Sequence, residues 1–271
     1  MLTQFPVRVK STAHKCLSLL FIMWDTGAMT VTGVVPNARQ RVRVAVSAEI
    51  VAEARRQLAA EGAAALSLRA VARELGMASS AVYRYFPSRD DLLTALIVEA
   101  YNALGEVSEA AAATGGTTYR RFRTVCLAIR GWAIEHPHEY ALLYGSPVPG
   151  YQAPELTVGP AGRSALVLAG IVDEAHRAGE LSVEEIPALS RTMAAQARPI
   201  AEQAMSGVPL PIVARALVAW ALLFGQINFE LFGRFDGVVA DTEVLFDHVM
   251  TVMAGLVGMN QRASSRRGRA P

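Results

Sequence analysis

The chain is short of charge, of cysteine and of lysine. Charged residues fill 18% of its 271 positions, below the share of about 25% usual in soluble domains, whereas 52% are apolar. That balance excludes an intrinsically disordered chain, which needs low hydrophobicity and high net charge. Its two cysteines, Cys16 and Cys126, stand far apart and form no CxxC pair. A disulfide-stapled scaffold is thereby excluded and a reducing, cytoplasmic setting is expected. No uninterrupted apolar run reaches the length of about 20 residues that a membrane span requires. Residues 16–24 are too few, and residues 211–226 are interrupted by Arg215 and end on Gln226, so no membrane partner is expected.

Other absences concern chemistry. The chain has no alternating strand pattern, no solenoid repeat and no heptad seam. It has no GxSxG, no P-loop, no GxGxxG after a strand and no HExxH, so neither an enzyme nor a cofactor is expected. Cys126 lies among Val125, Leu127 and Ile129 and reads as a buried thiol. Glu135-His136-Pro137-His138-Glu139 groups four ligand-type side chains, but a metal needs three that converge, which a proline-broken segment rarely supplies; no metal is expected.

Lys10 and Lys15 are the only lysines, so 24 of the 26 basic residues are arginine. The first 35 residues therefore differ from the body. They read as a disordered leader or a mis-assigned start, with Met29 as the alternative initiator. From residue 44 the pattern is helix after helix. Ser47 is placed to cap a first helix that Gly62 ends. Ser67 caps a second over 68–75, closed by Gly76, and Ser79 opens a third over 80–86, closed by Pro87. Ser88-x-x-Asp91 is a capping box for a long fourth helix that runs to about residue 113. Leu68, Val71, Leu75, Val82 and Phe86 are expected to share one small core. That arrangement is helix-turn-helix geometry over residues 67–86, with the other face of the third helix turned to a DNA major groove.

Charge follows the same division. The formal net charge is only +2, but residues 39–89 carry nine arginines against four glutamates, and residues 101–261 carry ten arginines against sixteen acids. A basic head on an acidic body is the electrostatic footprint of a nucleic-acid reader.

The stretch from Gly62 through Ser67-Leu-Arg-Ala-Val71-Ala72, Gly76-Met-Ala-Ser79-Ser-Ala-Val82-Tyr83-Arg-Tyr85-Phe86-Pro87-Ser88-Arg89 to Leu92-Leu93 closely resembles the DNA-binding signature of tetracycline-repressor-like (TetR-family) regulators. The resemblance covers about fifty residues. It implies an all-α protein: a three-helix helix-turn-helix domain over 36–100, a larger helical bundle for effector binding and dimerisation over 101–261, and a basic, disordered tail over 262–271. It further implies a homodimer that binds a palindromic double-stranded DNA operator, most often as a repressor released by a small molecule. An activator of the same fold is the alternative, and a helical ligand carrier or enzyme a more distant one. By the same resemblance Ser67, Arg69, Tyr85 and Arg89 hold phosphates, and Ser79, Ser80, Ala81 and Tyr83 lie at base edges. The family usually has lysine where this chain has Arg89; arginine keeps the charge. Arg39, Arg41 and Arg43 are candidates for a DNA-contacting arm, against the alternative of a solvated charge run.

Farther on, Gly131-Trp132, His136-Pro137, Tyr140 and the loop 144–154 resemble the Trp-His-Gly type of effector domain. Helices are expected over 119–135, 161–178, 183–205, 211–232 and 241–259, with a turn or two at 140–144 and a kink at Pro199. Trp132, Tyr140, Trp220 and Phe224 are candidates to line a pocket for an apolar effector, against the alternative of core or dimer interface. The segments 183–205 and 211–226 are expected to share a four-helix dimer interface.

Overall fold

The structure, a computed structural model, describes residues 37–182 and 188–259. The expected leader and tail lie outside the described residues. The rest is all-α, with ten α-helices among the described residues.

Helix α1 spans Ala38–Glu61 and starts ten residues before the expected position. Its cap is Asn37, whose Oδ1 accepts from the Gln40 amide at 2.9 Å while Gln40 Oε1 accepts from the Asn37 amide at 2.8 Å. This reciprocal box satisfies two amide donors at the helix start. Ser47 is thus an interior residue. The early turns were missed because residues 37–45 are exposed and carry no apolar periodicity. Gly62, at φ +77°, ends α1, and a 3-10 turn at Ala63–Ala65 follows.

Helix α2 (Leu68–Glu74) is capped by Ser67 Oγ, which accepts from the Ala70 amide at 3.4 Å. Gly76, at φ +63°, takes the left-handed conformation that turns the chain into α3 (Ser79–Tyr83), a position that strains other residues. Regular helix ends at Tyr83, three residues short of expectation. Pro87 ends the segment, and Ser88 caps α4 (Arg89–Ala112) by accepting from the Asp91 amide at 3.1 Å. Val71, Val82, Leu92 and Leu93 are fully buried in the small core of this head, with Leu75 and Phe86 packed at its edge. Each such valine or leucine contributes about 1.5–3 kcal/mol on burial.

The other half of α4 belongs to the body, formed with α5 (Thr118–Glu135), α6 (Pro137–Tyr144), α7 (Val158–Arg177), α8 (Arg191–Ala204), α9 (Leu210–Leu231) and α10 (Thr242–Leu256). Ala100 and Leu104 of α4 are buried with Val125, Cys126, Ile129, Ile171, Ile212 and Phe246. Burial pushes the Cys126 thiol up to about 12, which keeps it protonated and inert. A Cβ on Gly105 would lie 2.7 Å from the Arg163 side chain. This close approach of α4 to α7 is locked by Ser108 Oγ donating to Ser164 Oγ at 3.0 Å.

The expected helix 183–205 begins at Arg191, capped by Ser190; residues 183–187 lie outside the described residues, and 188–190 are non-helical. Pro199 sits inside α8. Residues Glu155–Arg177 and Leu210–Leu231 are long and apolar enough to cross a membrane by composition alone, with mean hydropathies of 1.2 and 1.8. Both nevertheless lie against the bundle and bury Ile171, Ile212, Leu223 and Ile227 in its core.

Candidate nucleic-acid interface and internal cavity

The face of the head away from its core is polar and basic. Val82 is fully buried beneath α3, and this orients Ser79, Ser80, Tyr83 and Arg84 outward. Tyr83 retains 42% of its exposure, high for a large aromatic ring. Arg69 is exposed on the first turn of α2 and Ser67 half-buried at its cap, while Ala81 is half-buried beside Tyr83. Of the eight residues expected at DNA, five (Arg69, Ser79, Ser80, Ala81 and Tyr83) therefore sit on or beside one surface.

Of the other three, Tyr85 and Arg89 have additional partners. Tyr85 is half-buried, and the Arg43 guanidinium lies 5.7 Å from its ring centre, a cation–π contact. The expected arm is thus helical: Arg39, Arg41 and Arg43 occupy the first turns of α1 and are exposed. Arg89 was expected at a phosphate. Its guanidinium donates to the carbonyls of Ala63 at 2.6 Å, Leu66 at 3.2 Å and Ala64 at 3.4 Å. It joins the start of α4 to the 3-10 turn before α2.

Inside the body, a cavity of about 280 Å³ opens between helices α4 to α10. Its floor is α7, where Ala161, Gly162, Ala165 and Ala169 leave room. Tyr101, Phe122, Tyr144 and Trp220 supply aromatic walls. The described lining includes no Asp, Glu, Lys, Arg or His. Of the four aromatics expected around a ligand, Trp220 lines the space. Phe224 stands behind it, with ring centres 4.5 Å apart. Tyr140 is fully buried and donates its hydroxyl to the Phe224 carbonyl at 3.3 Å; burial raises its pKa, so it stays neutral. Trp132 packs in the core against His136, ring centres 5.3 Å apart. Their helical spacing did not reveal which way each ring turns.

Tyr101 and Tyr144 were not among the aromatics expected around a ligand. Both line the cavity and both also pack against the core of the head. Their rings meet edge-on at 6.2 Å, and Tyr144 lies 4.2 Å from Phe224. Around this contact, Arg55 of α1 pairs with Glu99 of α4 at 2.7 Å and with Glu139 of α6 at 3.3 Å. The Tyr151 hydroxyl, in the loop after α6, shares a 2.9 Å hydrogen bond with Thr94 Oγ1. The head and the cavity wall are therefore in direct contact through α4 and α6.

A helix-turn-helix with a basic outer face, joined by one shared helix to a body that encloses an apolar cavity, defines a DNA-reading regulator. The comparisons with known proteins agree. Residues 50–96 match the model of bacterial regulatory proteins of the tetR family, and residues 122–253 match a tetracyclin repressor-like C-terminal domain. The HTH-type transcriptional regulators Rv1816 of Mycobacterium tuberculosis and Mb1846 of Mycobacterium bovis are each 38% identical over 213 residues, covering 77% of this chain and 91% of theirs. The crystal structure of the regulatory protein SCO4313 is 34% identical with a TM-score of 0.66, covering 81% of this chain and all of that one. A protein of unknown function from Rhodococcus sp. RHA1 is 26% identical with a TM-score of 0.57, covering 78% and 93%. The chain belongs to the TetR family of transcriptional regulators. It is a DNA-binding regulator and not an enzyme.

Proposed function

We propose that the protein is a homodimeric repressor that binds a palindromic operator and leaves it when a small molecule fills the cavity. The observation that carries this reading is the double placement of Tyr101 and Tyr144, whose side chains belong at once to the cavity wall and to the packing of the head. A ligand that shifts either ring acts on the contact that sets the head's position. A coupling of about 1–3 kcal/mol weakens operator binding about 5- to 150-fold. Arg69, Ser79, Ser80, Ala81, Tyr83 and Tyr85, flanked by Arg39, Arg41 and Arg43, form the DNA-contacting set. Short serine and alanine side chains favour apolar and water-mediated base readout.

Dimerisation is supported by an exposed apolar stripe. Val218, Leu222, Phe229 and Phe232 lie along one side of α9 and its end, exposed by 51%, 40%, 53% and 46%, with Val244 and Val252 of α10 exposed as well. Contiguous apolar surface of this kind marks an interaction face. The described part of the 183–205 segment instead exposes Arg191, Thr192, Gln196 and Arg198, which favours α9 with α10 over the pairing expected from sequence. Two heads in such a dimer reach half-sites about one helical turn apart. The setting is the cytosol, where the DNA is.

The test selects bound sequences from random double-stranded DNA with the full chain. Expected are a palindromic consensus, a mass of two protomers in the complex, and lower promoter output when the operator overlaps the promoter. A consensus without two-fold symmetry, or a monomer in the complex, overturns the dimer; raised output overturns the repressor.

A further inference from the structure

Gln203, on α8, lines the cavity, and its Oε1 atom is buried without a hydrogen-bond partner. A buried acceptor left unpaired is costly, and a partner that donates to it recovers that cost. The cavity meanwhile offers no counter-charge to an ionised group. Its described lining has no Asp, Glu, Lys, Arg or His, and the arginines nearest in sequence to it are engaged elsewhere. Arg163, beside Gly162, makes two 2.8 Å bonds to the Glu109 carboxylate and two more to Asn102. Arg215, beside Ala216, donates to the Leu256 carbonyl. An ionised head group would lose its water here and find no counter-charge.

We infer that the cavity selects a neutral, largely hydrocarbon ligand carrying one hydrogen-bond donor, an alcohol or phenol, and that Gln203 Oε1 is the residue that reads that donor. The small-residue floor of Ala161, Gly162, Ala165 and Ala169 lies under the skeleton, and Trp220 forms an aromatic wall. Carboxylic acids and amines of the same skeleton are rejected by desolvation, and the bare hydrocarbon binds more weakly for want of the bond to Gln203. This names the ligand class for the effector site proposed above, and rests on that reading only for the consequence of binding.

Three probes share one skeleton: 2-naphthol, naphthalene and 2-naphthoate. Their affinities for the full-length protein are measured by calorimetry and by the shift in Tm. Expected are binding of 2-naphthol about tenfold tighter than naphthalene, and no measurable binding of 2-naphthoate. In Gln203→Leu, naphthalene affinity persists while 2-naphthol falls to the same level. In Ala165→Phe, which fills the floor, both ligands are lost and the apo Tm holds or rises. The inference is overturned if 2-naphthoate binds as well as 2-naphthol, if the naphthol preference survives in Gln203→Leu, if Ala165→Phe still binds with a native Tm, or if no probe raises Tm. Operator release is scored separately: 2-naphthol that binds through Gln203 yet leaves the operator complex intact supports the ligand class and overturns the effector reading.

Discussion

The Arg89 guanidinium donates to the Ala63 carbonyl at 2.6 Å, bridging 26 residues of sequence between the start of α4 and the turn before α2. The same guanidinium holds the carbonyls of Leu66 and Ala64. Arginine, with its forked donors, brackets several carbonyls where a lysine ammonium is a single point.

Arg89→Ala leaves those carbonyls without their donor. The expected loss is about 1–3 kcal/mol of stability, read by urea denaturation, with weaker binding to every operator. Because the group faces carbonyls, the slope of log affinity against log salt stays as in the parent. A slope reduced by about one would return Arg89 to the phosphate role that the resemblance implies.

Tyr83→Ala is expected to act differently. Its ring is exposed on α3 above a buried Val82, so stability changes little. Selection from random DNA should yield an altered base preference at a cost of about 1–3 kcal/mol for the affected position. An unchanged consensus removes Tyr83 from base readout.

Phe229→Asp places a charge in the apolar stripe of α9. Light scattering should find a monomer with retained helicity, and operator affinity should fall by at least about tenfold as paired half-site binding is lost. A dimer with parental affinity moves the interface off this face.

Acid should weaken the body through Glu230. Arg130 of α5 holds this carboxylate with bonds of 2.8 and 2.5 Å; those bonds, with help from Thr242, keep its pKa below the ordinary 4.5. A depressed carboxylate pKa adds stability above the unfolded value and loses it as pH falls through the folded one. Glu230→Gln is therefore less stable than the parent at pH 7, and the gap narrows as pH drops below about 4.5. A gap that is constant from pH 7 to 3 excludes this role.

The caps Ser67 and Ser88 and the turn at Gly76 could be read from sequence because each sits against an apolar run that announces a buried face. Asn37 could not, because the turns it starts face solvent and its cue is a lone Asn-x-x-Gln. The reading head was legible for a further reason: Val71, Val82, Leu92 and Leu93 lie close together in the chain, so their shared core follows from local spacing. The cavity has no such signature. Large aromatics drew attention to Trp132, Tyr140 and Phe224, which fill space, whereas the cavity is made by side chains that leave it empty, such as Ala161, Gly162 and Ala165. Tyr101 and Tyr144 lie 43 positions apart, and only the fold reveals that they touch.

The space beside Trp220 bears on how long each copy of the protein survives. Its volume of about 280 Å³ admits a small molecule, and a ligand that binds the folded chain and not the unfolded one stabilises it by mass action. If that ligand is the effector proposed above, it would also shield the regulator from unfolding and proteolysis. A cell leaving exposure to that compound would carry a larger stock of regulator than it had on entry, and would close the operator again faster than synthesis alone allows.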